Sequence, residues 1–155
     1  MKNKLLKYAK ELILFILTIT IFSNGVSLYK STSLNKSPLP NALHVETNKP
    51  VMIHFWATWC PVCKTEIDNI QRVSKDYQVI TIAVKSGTNQ EIQNYLNERG
   101  FDFKFINDEN GILAQKFGVN VYPTTFIYNK NKELIFSDVG YTSTLGLYLR
   151  MWWTS

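Results

Sequence analysis

Cys60 and Cys63 are the only cysteines in the chain, and they lie in the stretch FWATWCPVCKTEI, residues 55–67. Two thiols at this spacing can form a redox pair, half of a metal site, or a structural staple. A disulfide closing so short a step hardly constrains the unfolded chain, so it is a poor staple. A structural zinc site takes four ligands, and only two histidines, His44 and His54, stand beside the pair. A two-thiolate copper(I) site remains open. Cys-x-x-Cys between an apolar strand and a helix favours redox exchange.

Position then separates the two sulfurs. Cys60 stands where a strand ends, with Pro61 at the first helical position, where its missing N–H costs nothing. The unpaired N–H groups and the dipole of that helix stabilise a thiolate at Cys60 and lower its pKa. Cys60 is therefore the nucleophile toward a substrate disulfide. Cys63, one turn further in, resolves the mixed disulfide.

The elements that must hold this pair follow from periodicity. VMIHFWA, residues 51–57, is a near-continuous apolar run of strand length, as a buried central strand requires. A helix is expected from Pro61 to about Asp76, with Ile67, Ile70 and Val73 on one face. VITIAV (79–84) is a second buried strand. Thr88 with Glu91 makes a capping-box start for a helix to Arg99, closed by Gly100. FKFI (103–106) is expected as a third strand, followed by a short helix over 112–117. TTFIY (124–128) and ELIFSDV (133–139) flank a hairpin connection. From Ser143 to Trp153, Leu145, Leu149 and Trp152 recur at helical spacing. A parallel crossover at the start and a hairpin at the end predict an α/β domain with a mixed sheet flanked by helices.

The chain has 155 residues and a net charge of +5. That length suits one compact domain. Residues 1–30 carry a net charge of +4 and residues 31–155 only +1, so no basic patch points to nucleic acid. The early lysines, Lys2, Lys4, Lys7 and Lys10, precede LILFILTITIFSNGVSL, residues 12–28, which holds no charge. This is the layout of a single membrane span with its N-terminus inside. A cleaved signal peptide ending near Ser23–Gly25 is the other reading. Either places the remainder outside the cytoplasm. The expected organisation is an anchor or signal at 1–29, a polar Pro-containing linker at 30–41, and one domain at 42–155.

WCPVC after an apolar strand, with VYPTTF about sixty residues later, resembles the thioredoxin superfamily, which implies the thioredoxin fold. FWATWCPVC, NDENGILAQKFGV and VYPTTF together resemble its TlpA-like, membrane-tethered branch. The ending VGYTSTLGLYLRMWW is similar to the suppressor for copper sensitivity protein D family of membrane-anchored, periplasm-facing thiol:disulfide proteins. The resemblance implies a redox-active Cys60–Cys63 disulfide and a cis proline at Pro123 facing it. It also implies substrate contacts at Trp59, Pro61, Tyr122, Pro123 and Thr124, with Tyr122 offering its backbone to an extended segment. Glu66 matches a glutamate common in the branch. Modulator of the pair and solvated helix residue both stand as readings for it.

One position departs from the superfamily pattern. Where thioredoxins carry a buried acid six residues before the first cysteine, this chain has His54. As a neutral imidazole it can accept the Cys63 proton, or it can serve only as a hydrogen-bonded core residue.

The direction of electron flow is suggested by the residues between the cysteines. Neither Pro61 nor Val62 can donate a side-chain hydrogen bond to the thiolate, which favours a reducing couple. The expected activity is thus reduction of disulfide-bearing protein substrates at the bacterial inner membrane, with the domain in the periplasm. No cofactor or metal is expected beyond the cysteine pair. A DsbD-like transmembrane electron donor is the implied partner. A thiol oxidase or isomerase and a copper(I)-binding module are the alternatives, and reduction of apocytochrome c is a substrate variant of the first reading.

Overall fold

The computed structural model describes residues 8, 10–18, 43, 45, 46 and 48–155. Of the expected anchor, residues 10–18 form a helix, α1, along which Leu12 to Leu17 are exposed. Of the other anchor residues only Tyr8 is described, and the linker 30–41 lies outside the described residues. Among the described residues no helix is long and apolar enough to cross a membrane.

The domain begins with β1 (Val51–Trp56), in which every residue is buried. Helix α2 (Pro61–Val73) follows, then β2 (Gln78–Val84), α3 (Asn89–Asn97), β3 (Phe105–Asp108) and α4 (Ile112–Lys116). The chain closes with β4 (Thr124–Tyr128), β5 (Leu134–Val139) and α5 (Thr144–Trp153). The strands form one sheet in the order β3-β2-β1-β4-β5. β1–β2 and β2–β3 are parallel, while β1–β4 and β4–β5 are antiparallel. The sheet is therefore mixed, with β1 at its centre. An apolar run without alternation belongs there, because both faces of that strand are covered.

The two crossovers step the same way across the sheet, from β1 to β2 to β3. A common handedness lays both connecting helices on one face. Accordingly α2, α3 and α5 share one apolar cluster, including Ile67 and Ile70, Ile92 and Leu96, and Leu147 and Met151. The opposite face is covered by Leu43 and by the α4 region through Ala114, Phe117 and Val119. Thr88 caps α3 in a full capping box with Glu91, as its sequence predicts.

Four expectations change, the first being that α3 ends at Asn97 with Glu98 as its C-cap rather than at Arg99. β3 begins at Phe105 rather than Phe103, because Phe103 turns inward, edge-to-face on Trp56 and stacked with Phe101. Helix α2 stops at Val73, three residues short of Asp76, with Ser74 as its C-cap. On α5 the face is reversed. Leu147 and Met151 are buried, whereas Leu145, Leu149 and Trp152 are 68%, 55% and 69% exposed. The segment TLGLYLRMWW is apolar on nearly every side, so spacing alone does not select the inward face.

Candidate active site

Cys60 is the N-cap of α2 and Pro61 its first residue. The main chain enters extended from the buried β1, and the Cys60 sulfur accepts the Cys63 backbone N–H at 3.1 Å. This is the orphan-donor geometry of a helix N-terminus applied to sulfur. The two cysteines are joined as a disulfide, with Cα atoms 5.3 Å apart. Only 4% of Cys60 and 2% of Cys63 is exposed.

The cover over the pair comes from the far end of the chain. Tyr122–Pro123 is a cis peptide, and the Tyr122 carbonyl oxygen lies 3.6 Å from Cys60 Sγ. The Thr124 hydroxyl donates to the Val121 carbonyl at 2.7 Å and closes this turn. Thr124 is buried, and its backbone neighbours β1 and β5 on either side. The open contacts beside Cys60 are instead Trp59 and Pro61, with Tyr122 half-buried. Trp59 donates its indole N–H to the Lys85 carbonyl at 3.0 Å. Its ring meets Tyr122 edge-to-face at 5.7 Å. An exposed aromatic fixed at both ends makes a preformed platform next to the sulfur.

Beneath the pair, polar side chains cross the sheet in register. Thr81 pairs with His54, His54 with Thr125, and Thr125 with Asp138. Cross-strand partners share a face, and neighbours of these residues such as Met52 and Ile127 belong to the α2-side cluster. Nδ1 of His54 is 2.9 Å from the Thr125 hydroxyl. Burial pushes His54 down to about 3, so the imidazole is neutral.

Glu66 lies on the buried face of α2, one turn after Cys63. It is fully buried. Its Oε1 accepts the Thr142 backbone N–H at 3.0 Å, while Oε2 has no hydrogen-bond partner. Burial pushes Glu66 up to about 8; the Thr142 hydrogen bond opposes this, and the nearby Asp138 charge adds to it. At neutral pH the side chain is therefore largely protonated, and the reading of it as a solvated helix residue does not hold. Asn69, one turn further on, donates to the Thr142 carbonyl at 3.0 Å and accepts from the Thr144 hydroxyl at 2.6 Å. Gly140, at φ +98, donates to the Pro123 carbonyl at 2.8 Å. The loop after β5 thus joins the proline turn to the cysteine helix.

Sequence reasoning did not find Asp138, Thr142, Asn69 or Arg150. A signal existed for Asp138: it is a charge within the strand run LIFSDV, two residues after Phe136 and so on the same strand face by alternation. Among the described residues no group of three or more His, Cys, Asp or Glu is arranged to hold a metal ion.

Fold and cysteine pair together define a thiol–disulfide oxidoreductase of thioredoxin type. Residues 35–137 match the model of the AhpC/TSA family, and the chain belongs to that family. It is similar to a thioredoxin-like protein of Haemophilus influenzae, 32% identical over 159 residues that cover 96% of this chain and 94% of that one. It is also similar to the thiol-disulfide oxidoreductase ResA of Oceanobacillus iheyensis, at 32% identity over 56% of this chain and 47% of that one. Among solved structures, a putative thioredoxin of Neisseria meningitidis superimposes with a TM-score of 0.62 at 27% identity, over 79% of this chain and 91% of the other.

Proposed function

We propose that this protein is a membrane-tethered, periplasm-facing reductase of protein disulfides, in the branch of the suppressor for copper sensitivity protein D. The observation that carries the chemistry is the Cys60–Cys63 disulfide with Cys60 at a helix N-cap and the fully buried Glu66 one helical turn after Cys63.

In the reductive direction, the Cys60 thiolate attacks one sulfur of the substrate disulfide. A Cys60–substrate disulfide forms, and the other substrate sulfur leaves as a thiolate. Cys63 then gives up its proton, and its sulfur attacks Cys60 Sγ. The Cys60–Cys63 bond closes and the second substrate sulfur is released. Two electrons pass from the pair to the substrate, whose two sulfurs end as thiols with protons from the pair and the solvent. With the disulfide closed Glu66 holds a proton, which is the end state of such a transfer, so its carboxylate form suits the role of acceptor for the Cys63 proton while the pair is reduced. His54 suits it poorly, since a group titrating at about 3 is too weak a base. Of the two readings of His54, its burial and its contact with the Thr125 hydroxyl support the hydrogen-bonded core residue, and Glu66 takes the acceptor's part in this proposal.

Trp59, Pro61 and Tyr122 form the substrate platform, with Pro123 shaping the turn behind it. The reducing direction is supported by the absence of a side-chain donor at Pro61 and Val62; only the Cys63 N–H bonds the Cys60 sulfur from within the motif. The tether is supported by the lysine-flanked apolar run and by the exposed apolar side chains of α1. A reductant in an oxidising compartment needs recharging, so a DsbD-like transmembrane electron donor is the proposed partner.

The test is the redox state of Cys60 and Cys63 in intact cells, trapped with acid and read by thiol alkylation. A mostly reduced pair that turns oxidised when the membrane electron supply is removed is expected. A pair that is oxidised whatever the electron supply overturns the direction proposed.

A further inference from the structure

The outer face of α5 is apolar and bare. Leu145, Leu149, Trp152 and Trp153 recur at helical spacing, each more than half exposed, while Leu147 and Met151 fill the core behind them. No charged side chain interrupts this stripe. A helix apolar on both sides has a second surface to bury, and among the described residues nothing covers it.

The direction of α5 fixes which end of the domain the stripe reaches. Asn69 accepts from the Thr144 hydroxyl, and the Tyr148 hydroxyl donates to the Arg72 carbonyl at 3.2 Å, so α5 runs alongside α2 in the same sense. α2 starts beside Cys60 and is 13 residues long, so its far end lies about 20 Å from that sulfur. There a surface cleft is lined by Glu46 and Pro50, by Asp76 and Gln78 after α2, and by Ser155 after α5. Lys132 fixes the chain at this point, donating from Nζ to the Glu46 carbonyl at 2.7 Å. The two tryptophans therefore stand at the end where the chain enters the domain, away from the cysteines.

We propose that α5 is an interfacial helix that seats the domain on the bilayer surface, with Leu149, Trp152 and Trp153 at headgroup level and the Trp59–Tyr122 platform turned away. This rests on the reading of residues 1–29 as a membrane anchor. Residues 30–41 can span at most about 40 Å, comparable to the width of a domain of this size, so the anchor keeps α5 within reach of lipid. A helix of 10 residues offers little area for binding a bilayer alone. Confinement by the anchor raises the effective concentration until a weak affinity suffices. Tryptophan is the side chain favoured at that depth, apolar in its ring and a donor at its N–H. Four lysines and three acidic side chains line the cleft, a near balance that leaves the attraction apolar rather than electrostatic.

The test reconstitutes the full chain in phosphatidylcholine vesicles, with and without lipid brominated at the upper acyl positions, and reads tryptophan emission. The tryptophans are Trp56, Trp59, Trp152 and Trp153, none of them in residues 1–42, so the anchor contributes no signal. Brominated lipid is expected to quench the wild type at high salt as at low salt. Trp152→Phe/Trp153→Phe is expected to abolish the quenching, and Leu145→Ser/Leu149→Ser, which keeps every reporter, to weaken it. All these positions are exposed, so the variants leave the core intact. A chain that floats with the vesicles but is not quenched overturns the docking and leaves the anchor standing. If its emission then shifts to the red on dilution with lipid, a second copy covers the face instead. Quenching that persists in Trp152→Phe/Trp153→Phe places Trp59 at the lipid and overturns the docking too. A chain that does not float with the vesicles overturns anchor and docking together.

Discussion

The two faces of the sheet differ in how they use polarity. The face under α4 is packed with Val51, Ile53, Phe55, Ile82, Phe117 and Phe126. Its buried Asp108 and Thr124 bond only nearby backbone: Asp108 receives the N–H groups of Leu113 and Ala114, and Thr124 donates to Val121. The face under α2 instead carries His54, Thr125, Asp138 and Glu66, which interact with one another or with distant loops. One face bonds its buried polar groups locally, and the other buries titratable side chains coupled to distant elements close to the disulfide. The lesson is that buried polarity is informative by its partner: local backbone bonding marks a cap or turn, whereas long-range side-chain coupling marks chemistry.

The sharpest way to separate the faces is Cys60→Ser. Reduction of insulin-type disulfides is expected to be abolished while the thermal transition of the reduced protein stays close to that of reduced wild type. Measurable turnover in that variant would remove the α2 face from the chemistry. Next in size is Phe126→Ala on the other face. Phe126 is fully buried and packs on Phe55 and Phe117 at centroid distances of 5.9 and 5.4 Å. Its truncation should cost about 3–5 kcal/mol in urea unfolding, with the specific activity of the folded fraction unchanged.

A subtler contrast lies in pH. Glu66 is raised from 4.5 to about 8, so its contribution to stability is fully present below 4.5 and is lost as pH rises through 8. His54 is lowered from 6.5 to about 3, so its contribution is fully present above 6.5 and is lost as pH falls through 3. Each group has a slope of at most about 1.4 kcal/mol per pH unit, and the slopes oppose one another between 4.5 and 6.5. The wild-type protein should show a plateau there. Glu66→Gln should turn it into a rise with pH, and His54→Gln into a fall, in urea midpoints measured across the window. A variant that keeps the plateau would show that the mutated group does not titrate as its burial requires.

Much of this was legible in the chain itself. The unbroken apolar run at β1, the Cys-Pro junction and the Thr88–Glu91 box each encode a local rule, and the local structure follows it. Trp59 and Tyr122 were also found, since both lie in motifs. What escaped depends on contacts that sequence spacing does not express. Glu66 was named from the family match, but its burial was not legible: it shares the polar letter of Lys64 and Asp68, and only the packing of α2 against the β5–α5 loop places it inside. Arg150 and Asp138 meet from different elements with no period linking them. On α5, with apolar residues on all sides, the sheet made the choice of face.

The cover over Cys60 has a further consequence, in the order of synthesis. The Tyr122 carbonyl beside the sulfur stands 62 residues after it, and the Thr142 amide on Glu66 stands 76 residues after that side chain. A chain made from its N-terminus therefore presents both thiols long before β4 can insert beside β1. In that interval Cys60 has its helix but neither the Tyr122 carbonyl beside its sulfur nor the Thr142 amide that holds Glu66. The thiols thus exist before the surroundings that enclose them, and the cover over the pair is among the last features the growing chain acquires.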